Sequence, residues 1–133
     1  MPEAIRKETD ISASPQRVYE ALLDASQFSA ATGAPAEIDR AAGGAFSCFG
    51  GIITGRNVEL VPDRRIVQAW RVKIWPEGIY SIVSFELQPT DQGTHLTMTH
   101  DAFPAAMRQH LNGEMPEGGW DRQYLEPLRK YLS

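Results

Sequence analysis

Short stretches in which apolar and polar residues alternate with a period of two recur along this chain, and turn-forming residues separate them. In the first, Ile5, Lys7, Thr9 and Ile11 share one side, while Arg6, Glu8 and Asp10 share the other. This predicts a half-buried strand over 5–11 with a charged outer face. The alternation is clearest in two later stretches. Over 79–87, Ile79, Ser81, Val83, Phe85 and Leu87 lie opposite Tyr80, Ile82, Ser84 and Glu86. Over 94–101, Thr94, Leu96, Met98 and His100 lie opposite His95, Thr97, Thr99 and Asp101. One face of the resulting sheet is mainly apolar with sparse polar groups, and the other is rich in Ser, Thr and Glu.

From Gly43 to Gly78 the pattern is that of an antiparallel meander. A short strand over 36–39 precedes strands over 45–49, 52–61 and 64–73. Turns fall at Gly43-Gly44, Gly50-Gly51, Pro62-Asp63 and Trp75-Pro76-Glu77-Gly78. Unbroken alternation along 52–61 puts Val58 and Leu60 inside and turns Asn57 and Glu59 to solvent. Arg56 and Gln68 then share the inner parity. Residues 88–92, with Pro89 and Asp91, predict a loop.

Elsewhere the period lengthens to that of a helix. Ser14 is a good N-cap and Pro15 sits where its missing N–H costs nothing, so a helix opens there with Val18, Ala21 and Leu22 on its apolar face. A second short helix is predicted over 24–31, anchored by Phe28 and ended by Thr32-Gly33-Ala34-Pro35. Residues 105–111 predict a helical turn stopped by Asn112-Gly113. From Trp120 to Leu132, Trp120, Tyr124, Leu128 and Tyr131 fall at helical spacing, as do Leu125, Leu128 and Leu132. Pro127 removes the bond to the Gln123 carbonyl, worth ~3 kcal/mol in a helix interior, and predicts a bend that follows a curved sheet. The order is strand, two helices, six strands, long helix. It predicts an α+β fold in a single domain spanning 1–133, with about seven antiparallel strands.

Composition narrows the function classes. The 133 residues are 42% hydrophobic and 23% charged, with a net charge of −4 and no basic stripe, so a nucleic-acid partner is not expected. No segment approaches the ~20 apolar residues of a membrane helix and the N-terminus has no signal-peptide run, so a cytoplasmic protein without a membrane partner is expected. Cys48 is the only cysteine, which rules out an internal disulfide. Neither Cys48 nor His95, His100 and His110 fit a metal-ligand spacing, and no metal or cofactor is expected. The paired glycines lack the following helix that a phosphate loop requires.

The segments GGAFSCFGG at 43–51, TGRNVELVPDRRIVQAWR at 54–71, WPEG at 75–78 and GWDRQYLEPLRKYL at 119–132 carry a further signal in their order and spacing. With them the chain resembles the SRPBCC (START/Bet v-like) superfamily. It is most similar to the branch named after the activator of the heat-shock protein 90 ATPase. The resemblance implies a helix-grip fold, in which a curved antiparallel sheet grips a long C-terminal helix around an apolar cavity. By position it implies a lining of Phe46, Cys48, Trp70, Val83, Phe85, Met98 and His100 on the sheet. Trp120, Tyr124 and Leu128 would face them from the helix, and Val18, Leu22 and Phe28 would close one end. The full co-chaperone resembles this chain only in its C-terminal domain. Its N-terminal domain makes the principal chaperone contact, and this chain begins almost at its first strand. Chaperone activation is therefore not expected, while a homodimer stays open.

Candidate chemistry is sparse. His100 is the best acid or base near neutral pH, but its sequence neighbour Asp101 points the other way. An inward Arg56 needs a carboxylate, an anion or a ligand's acid group. Gln68 shares its parity, and Tyr124 offers a hydroxyl. The resemblance, together with the apolar inner face, implies a protein that binds a small apolar or amphipathic ligand. A hydrolase, cyclase or dehydratase using the same cavity is the second expectation, and a protein-interaction module with an outer patch at Tyr80 and Ile82 the third.

Overall fold

Strand β1 (Ile5–Ile11) leads into helices α1 (Pro15–Leu23) and α2 (Ala25–Thr32). Strands β2 (Ala36–Ile38), β3 (Ala45–Cys48), β4 (Ile53–Val61), β5 (Arg65–Val72), β6 (Ser81–Thr90) and β7 (Gly93–Asp101) follow, and α3 (Glu126–Leu132) comes last. The computed structural model describes residues 5–33, 35–39, 41, 43–51, 53–73, 78–101 and 125–132. The described strands form one curved seven-stranded antiparallel sheet in the order β1-β7-β6-β5-β4-β3-β2. Sequential hairpins build β2 to β7, and β1 closes on β7. The architecture is an α+β helix-grip fold, as the element order predicts.

Both helix starts follow from local chemistry. Ser14 Oγ accepts from the Arg17 amide and caps α1, with Pro15 as its first residue. Asp24 Oδ1 accepts from the Ser26 and Gln27 amides and caps α2. Gly33, at φ 75°, ends α2 in the left-handed conformation that costs glycine nothing. Val18, Ala21, Leu22 and Phe28 are buried between helices and sheet. Helix α1 packs on β6 and β7, and α3 packs on α2 and β1. In α3, Leu128 and Leu132 point into the core together with Leu125 before it, whereas Tyr131, expected on the same stripe, is 38% exposed. Pro127 lies in the first described turn of α3. The expected bend and the helical turn over 105–111 lie outside the described residues. No helix among them is long and apolar enough to cross a membrane.

Three boundaries differ from the sequence reading. Strand β3 stops at Cys48 because a 3-10 turn with left-handed Gly50 follows. Ile79 precedes β6 and is 40% exposed, since inward alternation begins only at Ser81. Residues 88–92 are not a loop: β6 runs to Thr90 and turns through Asp91 and Gln92. Pro89 is tolerated there because its ring faces the flank from which β5 is missing. The Leu87 amide, on the same parity, reaches Arg64 O at that flank, where β5 has not yet begun.

Candidate functional site

The inner face is a grid of cross-strand neighbours. One row runs Asn57 (β4), Gln68 (β5), Val83 (β6), His100 (β7) and Ile5 (β1). The adjacent row runs Phe46 (β3), Gly55 (β4), Trp70 (β5) and Ser81 (β6). All of these except Gly55 are buried. Gly55 is required by its neighbours, because a side-chain carbon there would meet the Phe46 ring and the Ala69 carbonyl. Cys48, Phe85, Met98 and Leu128, expected on this lining, are buried as well. Trp120 and Tyr124 lie outside the described residues.

Arg56 corrects the expectation. It is exposed on the opposite face, where Nη1 donates to Gly43 O at 3.1 Å. Asn57, expected in solvent, is fully buried, and Val58, expected inside, is 55% exposed. One irregularity explains all three. The β4–β5 register shifts between Asn57 and Glu59, so that Val58 and Glu59 together oppose Val67. The extra residue of this bulge reverses the parity of the strand on its far side. Glu59 stays outside, paired with Arg65 at 3.1 Å.

Two polar groups sit in this apolar surface. In the first, Asn57 Nδ2 donates to Asp39 O at 3.0 Å, and Gln68 Nε2 donates to Asn57 Oδ1 at 3.1 Å. In the second, Ser81 Oγ lies 2.6 Å from His100 Nε2 and 3.3 Å from Trp70 O. The Trp70 indole meets the His100 ring edge-on, with centroids 5.1 Å apart at 78°. Burial pushes the His100 pKa down to about 3, so the ring is neutral at physiological pH. Both Ser81 contacts are satisfied when His100 Nε2–H donates to Oγ and the hydroxyl donates to Trp70 O. A histidine so arranged is a donor to the serine and does not activate it as a nucleophile. Burial also pushes the Cys48 thiol up to about 12, which keeps it protonated and unreactive.

Sequence reasoning missed Asn57 and Ser81 as site residues. Nothing local in the sequence marks the bulge that turns Asn57 inward. Ser81 had a signal: it is a hydroxyl at an inward position of an otherwise apolar strand. Among the described residues, no group of three His, Cys, Asp or Glu side chains could hold a metal ion. An open cleft of about 640 Å³, lined by Ser14, Pro15, Pro62, Asp63 and Arg64 among others, involves neither polar group.

A family model described as activator of Hsp90 ATPase homolog 1-like protein matches residues 12–133. The human activator of 90 kDa heat shock protein ATPase homolog 1 is 32% identical over 124 residues, which cover 93% of this chain and 35% of that protein. The chain thus spans about a third of the length of the curated relatives it matches. The crystal structure of an HSP90 activator from Plasmodium falciparum superposes with a TM-score of 0.82 at 26% identity, covering 97% of this chain and 95% of that one. A Chromobacterium violaceum protein superposes with a TM-score of 0.76 at 30% identity, covering 99% and 98%.

Proposed function

Because this chain belongs to the activator of Hsp90 ATPase homolog 1-like family, we propose that its inner face binds a small apolar or amphipathic molecule between the sheet and the C-terminal helix. The observation that carries this reading is the chemistry of the grid. Val83, Phe85, Met98, Phe46 and Trp70 supply apolar contact, and two fixed polar groups interrupt it. A few convergent polar groups in an apolar wall are the usual composition of a ligand site. Each ~100 Å² of apolar ligand surface buried there contributes roughly 2.5 kcal/mol before binding costs. Native mass spectrometry tests the reading. The expected result is a small-molecule adduct on the purified chain, or uptake of para-butylphenol by the apo chain. An apo mass that takes up no apolar probe overturns it.

A second reading is that the chain acts on heat-shock protein 90. It is supported by the Plasmodium falciparum chain described as an HSP90 activator, 95% of which this chain covers. Tyr80 and Ile82, 53% and 44% exposed on the outer face, offer an apolar contact surface. The reading expects the chain to raise the chaperone's ATP hydrolysis rate, and Ile82→Asp to abolish that rise. An unchanged rate at saturating chain sinks it.

A further inference from the structure

The carbonyl oxygen of the Gln68 side chain has no hydrogen-bond partner among the described residues, although Gln68 is only 4% exposed. Its orientation is fixed from outside the site. Asp39 O is a backbone carbonyl and can only accept, so the amide end of Asn57 must face it. Asn57 Oδ1 is thereby turned toward Gln68 and must receive the Gln68 amide. Flipping Gln68 would set two carbonyl oxygens against each other at 3.1 Å. Gln68 Oε1 is therefore left without a donor among the described residues, in the row it shares with Val83 and His100. Buried acceptors are normally satisfied, and one held open by a chain of other bonds calls for a donor from elsewhere.

Among the described residues, the same face offers little to an anion. Arg56, the cation nearest in sequence to Asn57, is on the outer face and bonded to Gly43 O. Lys7 faces inward from β1, but β7 and β6 separate that strand from β5, a distance of about 14 Å at normal strand spacing. The His100 ring carries no charge at neutral pH. A carboxylate brought beside Gln68 Oε1 would meet another acceptor and lose its hydration without compensation.

We propose that the ligand of this site is a neutral molecule with an apolar body and a hydroxyl or N–H group that donates to Gln68 Oε1. The proposal rests on the ligand-binding reading above and adds its head-group chemistry. Asn57 is then a positioning residue, which holds the Gln68 amide so that its oxygen faces the ligand.

Three probes with one apolar body separate the possibilities: para-butylphenol donates a hydrogen bond, para-butylanisole only accepts one, and para-butylbenzoate is an anion. Titration calorimetry on the full chain at neutral pH is expected to rank the phenol about five- to tenfold tighter than the anisole, the value of one net hydrogen bond. The benzoate is expected to bind more weakly than either. In Gln68→Met, which keeps the length of the side chain, the anisole is expected to bind as before and the phenol's advantage to fall to within about twofold. Equal affinities for phenol and anisole, or an advantage that survives in Gln68→Met, overturn the head-group proposal and leave the pocket standing, with Oε1 satisfied by water. Failure of all three probes to bind overturns the pocket reading and this proposal with it. If Gln68→Met does not fold, the phenol–anisole comparison in the unaltered chain decides alone.

Discussion

The hydroxyl of Ser81 has one proton, and the Trp70 carbonyl and the His100 imidazole both lie within reach of it. With that proton directed to the carbonyl, the imidazole's own proton sits on Nε2 and donates to Ser81 Oγ, which leaves Nδ1 as the ring's acceptor. Ser81→Ala removes the acceptor of a fully buried N–H, so a loss of about 1–3 kcal/mol is expected in urea unfolding. Ser81→Thr is expected to recover part of it. Gln68 illustrates the opposite case, an acceptor with no partner among the described residues while its own amide is held. Two residues on one face thus differ in kind: His100 is satisfied and neutral, whereas Gln68 is held ready.

Along β4, one extra residue decides which side chains meet the core. An unbroken period of two makes Arg56 the buried residue and Asn57 the solvated one; the bulge reverses the pair. Asn57→Ala strips the partner from both the Gln68 amide and Asp39 O, and is expected to cost about 2–4 kcal/mol. Arg56→Ala is expected to stay within about 0.5 kcal/mol, the range of ordinary surface changes. Chemical denaturation of the two variants measures the order, and the reverse order would mean that Asn57 is not clamped. Where alternation is uninterrupted, as in β6 from Ser81 to Leu87 and in β7, the faces could be read from the sequence residue by residue. The caps at Ser14 and Gly33 could be read too, because each depends on neighbours within four positions. The bulge could not, since Val58 is an ordinary strand residue and only the pairing with β5 shows that it is the additional one. Gln68, on the unbroken β5, could be placed inside from the sequence, whereas its partner Asn57 was hidden by the bulge.

Across the whole molecule, the two histidines of β7 tilt the pH dependence of stability in opposite directions. Burial depresses His100 in the folded state, so the unfolded chain binds the extra proton first. Stability is complete above about pH 6.5 and falls below it, by up to ~1.4 kcal/mol per pH unit. On the outer face, His95 lies 3.0 Å from Glu8 and 2.8 Å from Asp10. The hydrogen bond to Glu8, and then the one to Asp10, holds its pKa above the ordinary value. Its contribution is therefore complete below the unfolded value and is lost as pH rises through the folded one. Unfolding midpoints measured across pH are expected to peak near neutrality, and His95→Gln to flatten only the alkaline side. An unchanged alkaline limb in His95→Gln would exclude that pair as its source. Pro89 acts at this scale as well. Past Leu87, whose amide still reaches Arg64 O, β6 has no strand on this flank among the described residues, and such an edge is the kind of template on which chains stack into fibrils. A residue with no N–H at that point interrupts the ladder that an incoming strand would need, so this stretch of the β6 edge is a poor template for a neighbouring chain in a crowded solution.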